Sequence, residues 1–211
     1  MPSTARQLDV TPSAPFDTAR LDRLMEDAGL DVVIATSKHN VQYLLGGHRA
    51  HFFDYMDAIG VSRYLPVFVY PKGAPDKATY IGHRLEAAQR ENNPFWVTES
   101  QTNSSTSVDA MQKAIAYVRK LGIKPRGIGA ELAFTPLDAG TALREAFPDA
   151  ELKDGLFVLE RLRARKRPEE LRKLRLASDL VIECMLAVSA THGPGTTKRQ
   201  LIEAMRREEV N

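Results

Sequence analysis

Between Gly47 and Leu65 the chain concentrates side chains able to do chemistry: His48-Arg49-Ala50-His51-Phe52-Phe53-Asp54-Tyr55, and then Arg63. His48-x-x-His51-x-x-Asp54 would set three ligands on one helical face, at a spacing borderline for zinc. No cysteine or second cluster completes such a site. A loop with two ordinary histidines is therefore the preferred reading, and no metal is assigned to this chain. Arg63 carries a guanidinium, whose two parallel N–H groups suit a carboxylate. Its plain alternative is a surface arginine at the entrance to a strand. His83 and Trp96 sit near strand ends and read as core or rim packing. Ser100 to Ser107 reads as a loop into a helix cap, because it lacks the glycines of a phosphate cradle. The single cysteine, Cys184, falls on an apolar stripe and reads as a buried, inert thiol.

A second concentration is electrostatic. Positions 161–175 hold eight basic side chains against two acidic ones, inside a chain whose net charge is only +2. Such density could grip phosphates, but no aromatics interleave it to stack on bases, so a solvated linker and helix face is preferred over nucleic acid. Pro168 suits the first turn of a helix, and Glu169 and Glu170 would meet its positive end. The segment Arg163 to Leu171 reads as a hinge between two domains.

The elements that must position these groups alternate helix and strand. Phe16 to Ala28 has helical apolar spacing, with Asp17 as cap and Gly29 as stop. Asp31 to Thr36 is a β-branched run typical of a strand buried on both faces. Asn40 to Leu45 predicts a short helix ended by Gly46-Gly47. Strands are expected at Leu65 to Tyr70, Ala78 to Ile81, Phe95 to Thr98, Gly127 to Ala130 and Glu151 to Lys153. Helices are expected at Val108 to Leu121, from Thr135-Pro136 to Phe147, and at Leu156 to Leu162. The alternation predicts an α/β sandwich around a mixed or parallel sheet. Beyond Pro168, Leu171, Leu174, Ala177, Val181, Cys184 and Val188 mark a helix of about six turns. His192-Gly193-Pro194-Gly195 breaks it, and Thr196-Thr197 caps a last helix from Lys198 onward.

Composition sets outer limits. With 43% apolar and 27% charged residues the chain has the balance of a globular protein. One cysteine excludes an internal disulfide framework and fits a reducing compartment. No apolar run approaches the roughly 20 residues that span a bilayer. Met1 to Pro15 lacks the apolar core of a signal peptide and reads as a loose arm. A cytoplasmic protein without membrane or nucleic-acid partners is the expectation.

Four segments together resemble one family. They are Arg20-Leu21-Asp22-Arg23-Leu24-Met25, Asp31-Val32-Val33-Ile34, Asn40-Val41-Gln42-Tyr43-Leu44-Leu45-Gly46, and Arg163-x-x-Lys166-x-Pro168-x-Glu170-Leu171. Their order is similar to that of the N-terminal domain of the creatinase, aminopeptidase P and prolidase group, the pita-bread metallohydrolases. Gly193-x-Gly195-Thr196 followed by Leu201 also resembles a turn of that group, with Thr197 or Lys198 where Glu is usual.

The resemblance implies a three-layer α/β sandwich around a mixed sheet, ribonuclease H-like, followed by two C-terminal helices. It implies three segments: an arm at 1–15, the N-terminal domain at 16–162, and a hinge with the start of the catalytic domain at 163–211. Full-length peptidases of the group hold two divalent metal ions (manganese, cobalt or zinc) with two Asp, one His and two Glu. These residues would lie beyond Asn211, so the chain alone is expected not to catalyse. The N-terminal domain of such enzymes builds homo-oligomers and limits access of a peptide or small amide to a neighbouring active site. Arg63, His51, Phe53 and Tyr55 are then the substrate-binding candidates. Arg63 matches an arginine that the creatine-type branch aims at a carboxylate, though Val61 replaces that branch's aromatic residue. The other reading is a standalone binding or oligomerisation module without hydrolase activity.

Overall fold

The computed structural model describes residues 13–50, 64–92 and 95–210. The chain divides into two compact units between Arg163 and Ala164.

The first unit is built on six strands: β1 (Val32–Ala35), β2 (Val67–Pro71), β3 (Thr79–His83), β4 (Glu99–Ser104), β5 (Gly127–Ala130) and β6 (Glu151–Asp154). They form one mixed sheet in the order β4-β3-β2-β1-β5-β6. β2 runs antiparallel to both β1 and β3, and the remaining pairs are parallel. Around the sheet lie α1 (Thr18–Ala28), α2 (Lys38–Leu44), α3 (Ala87–Asn92), α4 (Ser107–Lys120), α5 (Leu137–Ala146) and α6 (Leu156–Ala164).

Strand alternation sorts the core into two layers. Val33, Ala35, Phe68 and Tyr70 face Leu21 and Met25 of α1, Leu44 of α2 and Leu159 and Leu162 of α6. Val32, Ile34, Val67 and Val69 face Met111, Ala114 and Val118 of α4 and Leu143 of α5. The result is helix, sheet, helix: the α/β sandwich with a mixed sheet that the residue pattern implies.

Local chemistry sets the boundaries. The Asp17 carboxylate accepts the N–H of Arg20 at 2.8 Å and starts α1, and Gly29 ends it at a φ of 65°. The Gly29 carbonyl in turn approaches β5 so closely that a Cβ on Gly127 would lie 2.0 Å from it. Only glycine fits that strand position.

One strand departs from expectation. Phe95 to Thr98 is not a strand; β4 is the polar run Glu99–Ser104 at the sheet edge. Phe95 and Trp96 are apolar because they pack on the core, and the Trp96 indole N–H donates to the Leu44 carbonyl at 2.7 Å. The stretch read as a serine-rich loop therefore forms most of that strand, and Thr106 caps α4.

The second unit contains α7 (Pro168–Thr191) and α8 (Lys198–Glu208). Pro168 opens α7, where the Arg167 N–H donates to Glu170 Oε2 at 2.8 Å. Thr197 and Gln200 form a capping box at the start of α8. Of the 24 residues in α7, Val188 alone is buried. Leu171, Leu174 and Val181 of the expected stripe are exposed, and so are Leu180, Ile182 and Leu186 outside it. Cys184 is half-buried, not the fully buried thiol expected. Among the described residues no helix is long and apolar enough to cross a membrane.

Candidate functional site

At the carboxyl ends of β1 and β5 the first unit buries a carboxylate. Glu131 directly follows β5 and is fully inaccessible to solvent. Its Oε2 accepts the backbone N–H groups of Thr36 at 2.6 Å and Ser37 at 2.8 Å. Its Oε1 accepts the Ser37 hydroxyl and the Asn40 side-chain amide, both at 2.6 Å. Ser37 also caps α2, its Oγ accepting the Asn40 N–H at 3.3 Å. Asn40 then presents its Oδ1 to Arg163 Nη1 at 2.7 Å, and the same guanidinium lies 6.0 Å from the centre of the Tyr43 ring. Asn40 and Tyr43 of the second-helix motif thus meet Arg163, the first residue of the hinge motif.

Four donors saturate the Glu131 carboxylate, which leaves it no free lone pair with which to take a proton from a substrate. Its role is to position: it locks the β1–α2 turn to β5, and through Asn40 it fixes Arg163 at the edge of the unit. Sequence reading passed over Glu131. The available signal was an acid standing directly after the buried run Gly127 to Ala130.

A second cluster flanks the chemically rich segment. Glu86 is fully buried and accepts the Tyr80 hydroxyl and the His83 N–H, each at 2.7 Å. Its Oε2 lies 3.5 Å from His48 Nε2, with the His48 side chain only 4% exposed. Among the described residues neither His48 ring nitrogen has a hydrogen-bond partner. Phe95 packs edge-on against His48 at 4.5 Å, and Tyr64 lies 3.9 Å from His83. Burial, reinforced by Glu86, pushes the Tyr80 phenol well up. Burial pulls the His83 imidazole down, with Glu86 opposing it.

Residues 18–165 match the family model for the Creatinase/Prolidase N-terminal domain, most of the chain. The chain belongs to that family. Solved structures agree on the fold. Prolidase from Thermococcus sibiricus superposes with a TM-score of 0.66 at 16% identity, over 92% of this chain and 48% of that one. Xaa-Pro dipeptidase from Bacillus anthracis gives 0.63 at 19% identity, over 90% and 48%. The N-terminal domain of Xaa-Pro dipeptidase from Lactobacillus brevis gives 0.51 at 12% identity, over 68% of this chain and 98% of that domain. The chain spans about half the length of the first two. No curated protein sequence matches it.

In this creatinase/prolidase N-terminal domain the four substrate-binding candidates, His51, Phe53, Tyr55 and Arg63, lie outside the described residues, as does Asp54. His48 and Tyr64 on either side are described, and both enter the Glu86 cluster. Among the described residues no three His, Cys, Asp or Glu side chains are placed to hold a metal ion. His48 and Glu86 approach each other without a third donor, so the residues described do not fit a divalent ion here.

Proposed function

We propose that this chain is the assembly and substrate-gating portion of an Xaa-Pro dipeptidase, aminopeptidase P or creatinase-type hydrolase. It acts as a homo-oligomer in the cytoplasm and does not catalyse by itself. The observation that carries the reading is the family match over residues 18–165, followed by a helix that buries one residue in 24. An apolar helix of that kind belongs against a partner surface, and the catalytic domain of such an enzyme supplies one. That domain would hold the two divalent metal ions that activate water for hydrolysis.

Within this reading the first unit contributes binding and orientation. Arg63 offers its guanidinium to the carboxylate of a peptide or small amide, and His51, Phe53 and Tyr55 offer ring surfaces and polar tips to the rest of it. The Glu131–Asn40–Arg163 chain of hydrogen bonds keeps the end of α6 in a fixed place, from which the catalytic domain begins. The test is to express the complete reading frame and assay hydrolysis of Xaa-Pro dipeptides with added manganese, beside this chain alone. Activity in the complete product only, reduced by Arg63→Ala, is the expected result. A downstream frame lacking the Asp, Asp, His, Glu, Glu series, or an inert complete product, would leave the standalone oligomerisation module as the better reading.

A further inference from the structure

At the opposite end of the sheet, where β1 and β5 begin, a cleft of about 390 Å³ opens between Asp31, the turn after β2 and the segment after α4. This is within the size range of small-molecule sites. Four cationic residues line it, Lys72, Lys77, Lys124 and Arg126, against one acidic residue, Asp31. That carboxylate is already committed. Its Oδ2 accepts the backbone N–H groups of Arg126 at 2.7 Å and Gly127 at 3.3 Å, and Lys72 lies 3.9 Å from Oδ1. Burial pushes the Asp31 carboxyl up, but these donors and the Lys72 charge outweigh it and hold the group below its ordinary range. Lys72 also pairs with Glu26. Glu26 and Asp31 share Lys72, so this trio leaves one negative charge at the floor.

Lys77, Lys124 and Arg126 remain. Their side chains have no hydrogen-bond or ion-pair partner among the described residues. The negative end of α4 does not account for them, because Arg119 and Lys120 already occupy its last turn. One guanidinium fork and two ammonium groups around a concave wall suit the oxygens of a phosphoryl group. Ala74, Leu121 and Ile123 supply apolar wall beside them, which suits an organic body.

We propose that this cleft binds a phosphorylated small organic molecule, its phosphoryl oxygens held by Lys77, Lys124 and Arg126 and its apolar part set against Leu121 and Ile123. The site is separate from the hinge cluster, at the other end of β1 and β5.

Phenyl phosphate is the probe, with inorganic phosphate and phenol as its two halves, titrated calorimetrically into this chain at low ionic strength. Phenyl phosphate should saturate and bind more tightly than either half. Lys124→Gln with Arg126→Gln should weaken it about tenfold, the equivalent of one charge-assisted hydrogen bond. The same charge loss on α7, Lys173→Gln with Arg175→Gln, should leave binding unchanged. The exchanged side chains make no hydrogen bond or ion pair among the described residues, and that of Arg126 acts only by its charge on Asp31. The melting temperature without ligand should therefore move little, and measuring it separates lost binding from lost folding. Absence of saturation, equal weakening by the α7 variant, or inorganic phosphate or phenol binding as well as phenyl phosphate would each overturn the proposal.

Discussion

The two units use apolar residues in opposite ways. In residues 13–163 almost every large aliphatic side chain on a strand or helix turns into one of two layers, and Leu21, Met25, Ile34 and Leu143 are at most 1% exposed. In α7 comparable side chains stand in the open, with Leu180 at 52% and Leu186 at 64%. Propensity does not distinguish them, since both regions form capped, well-bounded helices. What differs is the number of surfaces available. α1, α4, α5 and α6 each find a sheet to cover, whereas α7 and α8 are two helices with no third layer. Capping and periodicity make a helix, but stability comes from burying its face.

The sharpest way to break this contrast is at Glu131. Replacing it with alanine leaves two backbone N–H groups, the Ser37 hydroxyl and the Asn40 amide unpaired in a buried site. The expected cost is about 3–5 kcal/mol, the range for breaking a buried charged network. Urea denaturation should show it as a lower midpoint for the first unit. A loss within about 0.5 kcal/mol, as for an ordinary surface site, would mean that the network is not what ties β1 to β5. Next comes Leu21→Ala, which empties a fully buried position of α1. About 3 kcal/mol is expected from lost transfer energy plus the cavity.

These residues also show what could be read from the chain. Asp17 with Gly29, and Thr197 with Gln200, mark their helix ends because a cap acts within four residues. β1 is legible because a strand buried on both faces needs an unbroken β-branched run. Phe95 to Thr98 misleads for the converse reason: apolar residues are demanded by a core, and a core accepts irregular backbone as well as a strand. Glu131 stands out only as an acid after a buried run, because its partners Thr36, Ser37 and Asn40 lie 91–95 positions away. No local pattern encodes such a match. The motif residues Asn40, Tyr43 and Arg163 could be recognised singly, but their convergence is a property of the fold.

Proton linkage offers a smaller and more selective probe of the first unit. Burial holds the His83 imidazole below its ordinary value of 6.5. The folded chain therefore takes up this proton less readily than the unfolded chain. The contribution is fully present above pH 6.5 and is lost as pH falls toward the folded value. Asp31 and Asp109, both held low, add a second loss below their ordinary 3.8. The denaturation midpoint should thus decline on acidification in two stages. His83→Asn should flatten the upper stage, and Asp31→Asn should reduce the lower one, leaving the share of Asp109. A His83→Asn chain with an unchanged upper stage would place that linkage on another group.

The smallest effect on folding is expected where the second unit is most apolar. Leu180→Gln with Leu186→Gln exchanges two exposed side chains of α7, so the urea midpoint of the first unit should stay within about 0.5 kcal/mol of the parent. Association should respond instead. Exposed apolar surface of this extent is uncommon on a monomer, and the parent chain should show concentration-dependent mass by light scattering that the double variant largely loses. The two readouts must separate for the contrast to hold: Leu21→Ala lowers stability without curing association, and the α7 variant cures association without lowering stability. A parent that stays monomeric at high concentration and binds no hydrophobic dye would show that α7 buries its own face. The distinction between a closed unit and an open one would then be lost.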